Sequence, residues 1–247
     1  MAFFHLGCAI ILSMKNRTAL FILPIFSTLL VACKGAESLT LEERLHNAYL
    51  DSIETKEENI RPLVNLTKED KNVSWKDDKA LLFTLHRYPS SYPEGEEITI
   101  TWSESWLCSV KEMENWYVAN KENIKDPLLR VKQVLGMSHE SKNTYISSMW
   151  IDPSYVKRPA YVTDVTKPMD IKFAEDETEE YKSWFSSQYY YSYDVSKLPW
   201  TRLGYTYDWS EEAIDRYGLS EFIAFKDSKA TVDKTFLVED FLKTFDK

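Results

Sequence analysis

Few side chains in this sequence are suited to acid–base catalysis. His86 stands beside Arg87 at the end of a predicted strand, where a histidine could face a cleft. Asp208 and Glu221 lie in aromatic or apolar surroundings, and a glycoside hydrolase needs two carboxyl groups held across one cleft. No motif links these three residues, so no catalytic set is predicted. If the protein were an enzyme, His86, Asp208 and Glu221 would be the candidate catalytic residues.

Motifs for metal or covalent chemistry are missing from the sequence. It contains no HExxH, CxxC or His-x-His, so neither a metal site nor a cofactor is predicted. It also lacks Gly-x-Ser-x-Gly and the phosphate-binding Gly-x-x-x-x-Gly-Lys. Cys108 lies between Leu107 and Ser109, a context that predicts a buried, unreactive thiol.

Aromatic residues are concentrated between Tyr181 and Trp209, where 11 of the 35 in the chain occur. Tyrosine and tryptophan combine a large apolar area with a polar group, which suits both core packing and binding surfaces. The sequence leaves both interpretations open. If the segment binds a partner or a glycan, the expected contact residues are Trp184, Tyr189, Tyr191, Trp200, Arg202, Tyr205, Tyr207 and Trp209.

The N-terminal region has the order of features found in an export signal. Lys15 and Arg17 precede an apolar run from 19 to 32, which is shorter than a membrane span needs. The run ends in Leu30-Val31-Ala32-Cys33, which resembles the lipobox of bacterial lipoproteins. The resemblance implies that residues 1–32 are a signal peptide and that Cys33 carries the lipid. Met14, directly before Lys15 and Arg17, is the residue at which translation of such a signal peptide would normally begin.

The lipobox also implies a location in the cell envelope. Lys34 follows the cysteine, which by resemblance to known sorting rules favours the outer membrane where one exists. Two alternatives remain, an ordinary secretory signal with an incidental cysteine and an N-terminal anchor helix. With Cys33 acylated, only Cys108 stays as a thiol and no internal disulfide forms; otherwise a Cys33–Cys108 bridge becomes available.

Charge excludes one class of partner. The formal charge of −9 becomes about −11 once the signal peptide with Lys15 and Arg17 is removed. Nucleic-acid binding needs a basic face and is not expected. Anionic lipid would repel such a chain, so attachment to a membrane is expected to depend on the lipid at Cys33.

The remaining pattern predicts one α+β domain with several helices and a small mixed or antiparallel sheet. The expected organisation is a lipidated tether at 33–39, an N-terminal helix region at 40–66, a charged linker or loop at 67–79 and a globular domain at 80–247. Capping signals predict helices that begin after Thr40, Asp126 and Thr178. Strands are predicted at 81–87, 97–102, 144–151, 161–173, 219–225 and 231–238.

The leading functional hypothesis is a membrane-anchored envelope lipoprotein that acts as a binding, inhibitor or immunity, or accessory module through its aromatic segment. An acidic domain of this kind suits a basic protein partner. One alternative is an envelope hydrolase acting on glycans with paired carboxylates. Another is a structural or adhesion component of the cell surface. The domain also resembles uncharacterised bacterial secreted proteins, which implies no activity.

Overall fold

A computed structural model describes residues 38–246. The proposed signal peptide, Cys33 and most of the tether lie outside the described residues. From Leu39 onward the chain forms one compact unit, which includes the helix region at 40–66 and the charged segment at 67–79. Five α-helices and a nine-stranded antiparallel sheet occur in the described part of the chain, which confirms the α+β prediction.

The sheet has the strand order β3-β9-β5-β2-β4-β8-β6, with β1 paired to β2 and β7 paired to β8. Each pairing is antiparallel. Five of the six strands predicted from the pattern are confirmed in type. The strands are β1 (Trp75–Lys76), β2 (Lys79–His86), β3 (Glu97–Thr99), β4 (Glu104–Ser109), β5 (Tyr145–Ile151), β6 (Val156–Lys157), β7 (Tyr205–Tyr207), β8 (Tyr217–Phe225) and β9 (Lys229–Leu237).

The helices begin where their capping residues predict. The Thr40 hydroxyl accepts from the backbone N–H of Glu43 while the Glu43 carboxylate accepts from that of Thr40, a complete capping box. Asp126 and Thr178 cap two further helices in the same manner. The helices are α1 (Leu41–Ser52), α2 (Val110–Asn120), α3 (Pro127–Val134), α4 (Glu179–Tyr190) and α5 (Val238–Lys243); a π-helical turn, Tyr191–Val195, continues α4.

The strand predicted at 161–173 is absent, and this prediction was wrong. The buried side chain of Arg158 explains why the segment is irregular. Its guanidinium donates to the backbone oxygens of Asp164, Lys167 and Val64, so these carbonyls are satisfied without a neighbouring strand. An apolar pattern alone could not reveal that a side chain replaces the strand ladder.

Neighbouring residues of the central strands enter different clusters on the two faces of the sheet. Leu82 and Leu107 pack with one cluster, whereas Phe83 and Cys108 pack with another that includes residues of α2, α3 and α5. This is the two-residue periodicity expected of a sheet buried on both faces.

The central strands β2 and β4 are paired over only two positions, Leu82 with Ser109 and Phe83 with Cys108. Each strand continues to pair with its other neighbour: β2 with β5 over 80–86, and β4 with β8 over 104–108. The two halves of the sheet therefore diverge beyond Phe83. The divergence leaves a gap in the middle of the fold.

Candidate functional site

A cavity of about 610 Å³ occupies this gap between β2 and β4. Its walls come from 83–88 of β2 and the following turn, 104–108 of β4, 135–137 after α3, the π-helical turn, 198–201 and β7. Arg87, Tyr88 and Tyr191 line it and are exposed, so its rim is open to solvent. The volume is in the range of sites that enclose a small organic molecule.

Aromatic rings form much of the wall. The ring of Trp106 stands edge-on to that of Trp200, with centroids 6.2 Å apart. Trp102 also lines the cavity, and its indole N–H donates to the Ser105 hydroxyl at 2.8 Å. Tyr92 also lines the cavity, and its ring lies edge-on to that of Trp102, with centroids 5.7 Å apart. Because these side chains carry large apolar rings, the wall is suited to apolar or aromatic ligand groups.

Glu221 places a carboxyl group among these aromatic residues of the wall. It lies on β8 directly opposite Cys108 of β4, and its side chain lines the cavity. Among the residues that the structure describes, no group donates a hydrogen bond to its carboxyl oxygens and no cationic side chain pairs with it. Burial raises the pKa of Glu221 to about 8. The carboxyl group is therefore largely protonated at neutral pH and unpaired.

Cys108 does not provide a nucleophile for this site. The residue is buried, as the sequence predicts, and burial raises the pKa of its thiol well above the ordinary value. The neighbouring carboxyl groups of Glu221 and Glu112 raise that pKa further. Nucleophilic catalysis by cysteine depends on the thiolate, which these surroundings disfavour.

His86 also lines the cavity, but its hydrogen bonds prevent it from acting as a general base. The backbone N–H of Tyr88 donates to Nδ1 at 3.1 Å, so in the neutral ring the proton is on Nε2. Nε2 then donates to the hydroxyl of Ser147 at 2.8 Å, and Ser147 donates to Thr235 at 2.7 Å. Burial lowers the pKa of His86 to about 4. A serine nucleophile would need Nε2 to accept its proton, the opposite of this arrangement.

Asp208 lies outside this cavity and pairs with Arg130. Its two carboxylate oxygens accept from Nη1 and Nη2 of Arg130 at 2.9 and 2.7 Å, and both side chains are about 95% buried. The guanidinium of Arg130 lies 4.7 Å from the ring centre of Trp116. Asp208 borders a separate depression of about 470 Å³, whereas Glu221 borders the larger cavity. The structure does not bring these two carboxyl groups into one cleft.

The aromatic segment at 181–209 divides between the two interpretations. Tyr191, Trp200, Tyr205 and Tyr207 line the cavity. Trp184 and Tyr189 instead join a ring cluster with Tyr49, Phe185 and Tyr193 that packs α4 against α1 and the sheet.

Two further members of the predicted binding set support the fold. Trp209 is buried, borders the smaller depression and donates its indole N–H to the backbone oxygen of Met137 at 2.9 Å. The guanidinium of Arg202 donates to the backbone oxygens of Ser52 and Ile53 at 2.9 and 2.7 Å, which satisfies free carbonyls at the end of α1.

Several wall residues lie outside the aromatic segment and were not singled out from the sequence, among them Tyr92, Trp102 and Trp106. For Trp106 a signal existed. It alternates with Cys108 along β4, so both side chains point to the face that also carries Glu221. Tyr92 and Trp102 lie in loops, and no periodicity could place them.

Further observations bear on the class of site. Within residues 38–246, no group of three or more His, Cys, Asp or Glu side chains is placed to hold a metal ion. No helix in that range is both long and apolar enough to cross a membrane. Comparison of the chain with models of known families, with curated proteins and with solved structures finds no match. A functional interpretation therefore depends on the geometry of the cavity.

Proposed function

We propose that this chain is a lipid-anchored envelope protein that binds a small, largely apolar ligand in the cavity between β2 and β4. The supporting observation is the wall itself, in which aromatic rings accompany a carboxyl group, Glu221, that has no partner among the described residues. A largely apolar cavity with a small number of polar groups, here including Glu104 and Glu221, is typical of sites that recognise an amphipathic small molecule.

The arrangement favours binding over hydrolysis. A glycosidase needs one carboxyl group as acid and a second as base or nucleophile. Asp208 is held by Arg130 beside a different depression, and the Nε2 atom of His86 carries a proton directed at Ser147. Of the three residues proposed from sequence for acid–base chemistry, only Glu221 has a carboxyl group available to a ligand.

The proposed anchor is the lipid on Cys33, and its support is the lipobox in the sequence. The folded unit starts at Leu39, so only a few residues separate it from the membrane surface. The net charge of about −11 gives the domain no attraction to anionic lipid. Cys33→Ala should therefore shift the protein from the membrane fraction to the soluble fraction of the envelope. Retention of normal processing and membrane attachment in this variant would refute the anchor.

Binding can be tested with the neutral fluorescent dye N-phenyl-1-naphthylamine, which brightens in apolar sites. The protein is the mature chain with Cys33→Ala, which needs no detergent. Saturable binding with one dye per chain is expected, with a Kd of about 1–10 μM for a ligand of this size. Absence of saturable binding to this dye and to other neutral aromatic compounds of its size would contradict the proposal.

A matched pair of variants locates the dye. Leu198 is half-buried and lines the cavity, so Leu198→Trp places a large ring into the space and should abolish dye binding. Val195 lies three residues earlier and is exposed outside the cavity, so Val195→Trp should bind as the parent does. Equal binding by the two variants would mean that the dye occupies another surface.

A further inference from the structure

We infer that the cavity selects lipophilic organic cations, an ammonium group carried on an apolar body, with Glu221 as the counter-ion. The inference rests on the proposed function, because it assigns a chemical class to the ligand of the same cavity. It depends on three features of the site: the unpaired carboxyl group, the electrostatic character of its surroundings and the aromatic wall.

The first feature is that Glu221 lacks a partner although other buried charges in the described part of the chain have one. The carboxyl group of Glu112, on α2, accepts from the hydroxyl and the backbone N–H of Ser220, both at 2.9 Å. Arg158 is held by backbone carbonyls and by the side chain of Asn65. Glu221 is half-buried in the cavity wall and has no partner among the described residues, so its carboxyl oxygens are available to a ligand that enters the cavity.

The second feature is that no cationic side chain of the described residues 38–246 pairs with Glu221. Facing it from β4 are Cys108 and, further along the strand, Glu104; His86 at the end of β2 and Arg87 directly after it line the same cavity. His86 is neutral, and Arg87 is an exposed rim residue whose guanidinium lies 4.8 Å from the ring centre of Tyr88. Glu112 adds a further carboxyl group from α2 to this electrostatic environment.

The other titratable groups near Glu221 are tyrosines. Tyr92, Tyr205 and Tyr207 line the cavity, and burial raises the pKa of each. Tyr191 lines the cavity at its rim, and Tyr181 of α4 lies within electrostatic range of Glu221. Tyrosine side chains are neutral below about pH 10. The surroundings therefore offer acidic or neutral groups, and an incoming cation meets no repulsion deep in the site.

The third feature is the set of indole rings. Trp102, Trp106 and Trp200 line the cavity, and the rings of tryptophan attract ammonium groups, most strongly where water is excluded. An ion pair with Glu221 would replace the water that the ionised carboxylate loses on burial. The overall negative charge of the chain also favours the approach of cations. A neutral ligand would obtain only a hydrogen bond from the protonated carboxyl group.

An isosteric pair of probes tests the inference. Phenyltrimethylammonium and tert-butylbenzene have nearly the same shape and differ by the charged nitrogen. Their affinities are measured by displacement of N-phenyl-1-naphthylamine from the detergent-free mature chain at pH 6 and pH 8. The affinity for phenyltrimethylammonium is expected to rise about tenfold or more from pH 6 to pH 8, because Glu221 must lose its proton to pair. The affinity for tert-butylbenzene is expected to stay constant.

Glu221→Gln keeps the shape of the side chain and removes the charge. It should retain tert-butylbenzene binding and lose the pH-dependent gain for phenyltrimethylammonium. Glu97→Gln, a change at an exposed position on β3 outside the cavity, should retain the gain. Burial also raises the pKa of Glu112 to about 7, so the comparison with Glu221→Gln is what assigns the gain to Glu221. If Glu221→Gln fails to fold, a parent protein whose affinity for phenyltrimethylammonium does not rise from pH 6 to pH 8 still overturns the inference.

The outcomes separate this inference from the proposed function. If dye and tert-butylbenzene bind and phenyltrimethylammonium binds no better at pH 8 than at pH 6, the cation inference is wrong and the binding function stands. If Glu221→Gln retains the full pH-dependent gain, Glu221 is not the counter-ion and the inference is also wrong. If neither probe nor the dye binds, the proposed function itself fails.

Discussion

Two carboxyl groups, Asp208 and Glu221, lie 13 residues apart in the sequence, the first buried and the second half-buried, and have opposite surroundings. Asp208 is locked by two hydrogen bonds to Arg130, which in turn lies against the ring of Trp116. Glu221 borders a cavity of about 610 Å³ and has no partner among the described residues. Burial raises the pKa of both groups, but Arg130 opposes this effect for Asp208.

The comparison sets a carboxyl group that supports the fold beside one that, in our proposal, binds a ligand. A buried carboxylate that has its own cation contributes to the fold, and removing its partner leaves a costly charge. A buried carboxyl group without a partner reduces stability above its unfolded pKa, and a ligand can recover that free energy. Experiments that perturb the two sites should therefore change stability in opposite directions.

The largest effect is expected at the paired site. Asp208→Ala leaves the Arg130 guanidinium buried without its carboxylate, so the free energy of unfolding should fall by about 3–5 kcal/mol in urea denaturation. Asp78→Ala is the matched control, because it removes one member of an exposed pair with Lys68 and should cost less than about 1 kcal/mol. Equal losses in the two variants would remove the distinction between buried and exposed pairs.

Glu221→Gln should act in the opposite sense. Because the folded-state pKa of Glu221 is about 8 and the unfolded value is about 4.5, the folded state binds the proton more tightly between these values. The parent protein therefore loses stability as pH rises from 4.5 to 8, and the glutamine variant avoids this loss. The advantage of the variant should grow by about 3 kcal/mol between pH 5 and pH 8. An advantage independent of pH would show that Glu221 does not titrate in the folded protein.

His86 should produce a smaller effect at lower pH. Its folded-state pKa of about 4 lies below the unfolded value of 6.5, so the unfolded state binds more protons between these values. The contribution of His86 to stability should thus fall by about 2–3 kcal/mol as pH decreases from 6.5 to 4, opposite in sign to the contribution of Glu221. His86→Asn keeps an acceptor for the Tyr88 N–H and removes the titration, so its unfolding free energy should fall less over this range. An unchanged slope would assign the acid sensitivity to other groups.

The smallest effect concerns a region remote from both carboxyl groups. Thr40→Ala removes the capping box of α1 and should lower the free energy of unfolding by about 1 kcal/mol. Dye binding in the cavity should be unaffected, because neither Thr40 nor Glu43 lines it. A loss of dye binding would mean that α1 and the cavity are more tightly coupled than their contacts indicate.

Local features of the fold were predictable because local chemistry determines them. The capping groups of Thr40, Asp126 and Thr178 lie next to the helices they start. The sequence pattern of 144–151 and the strand-forming composition of 219–225 likewise predict β5 and β8. The segment at 161–173 was mispredicted because the buried side chain of Arg158 donates to two of its backbone oxygens, those of Asp164 and Lys167, in place of a neighbouring strand.

The site was less predictable because it arises from tertiary geometry. The cavity exists because β2 and β4 separate after two paired positions, and no residue pattern within either strand specifies that. Glu221 could be named as a buried carboxyl group, but its partner could not be excluded from sequence. The sequence offered Asp208 and Glu221 as a pair. Only the fold reveals that Arg130 donates hydrogen bonds to Asp208, whereas Glu221 has no partner among the described residues.

The most direct test of this account measures the proton on Glu221 while the cavity fills. Calorimetric titration of phenyltrimethylammonium at pH 7, in two buffers of different ionisation enthalpy, gives the number of protons released per ligand bound. With a pKa of about 8 in the free protein, the parent should release about 0.9 proton and Glu221→Gln about none. Binding without proton release by the parent protein would contradict the claim that Glu221 is protonated in the free protein and loses its proton when it pairs with the bound cation.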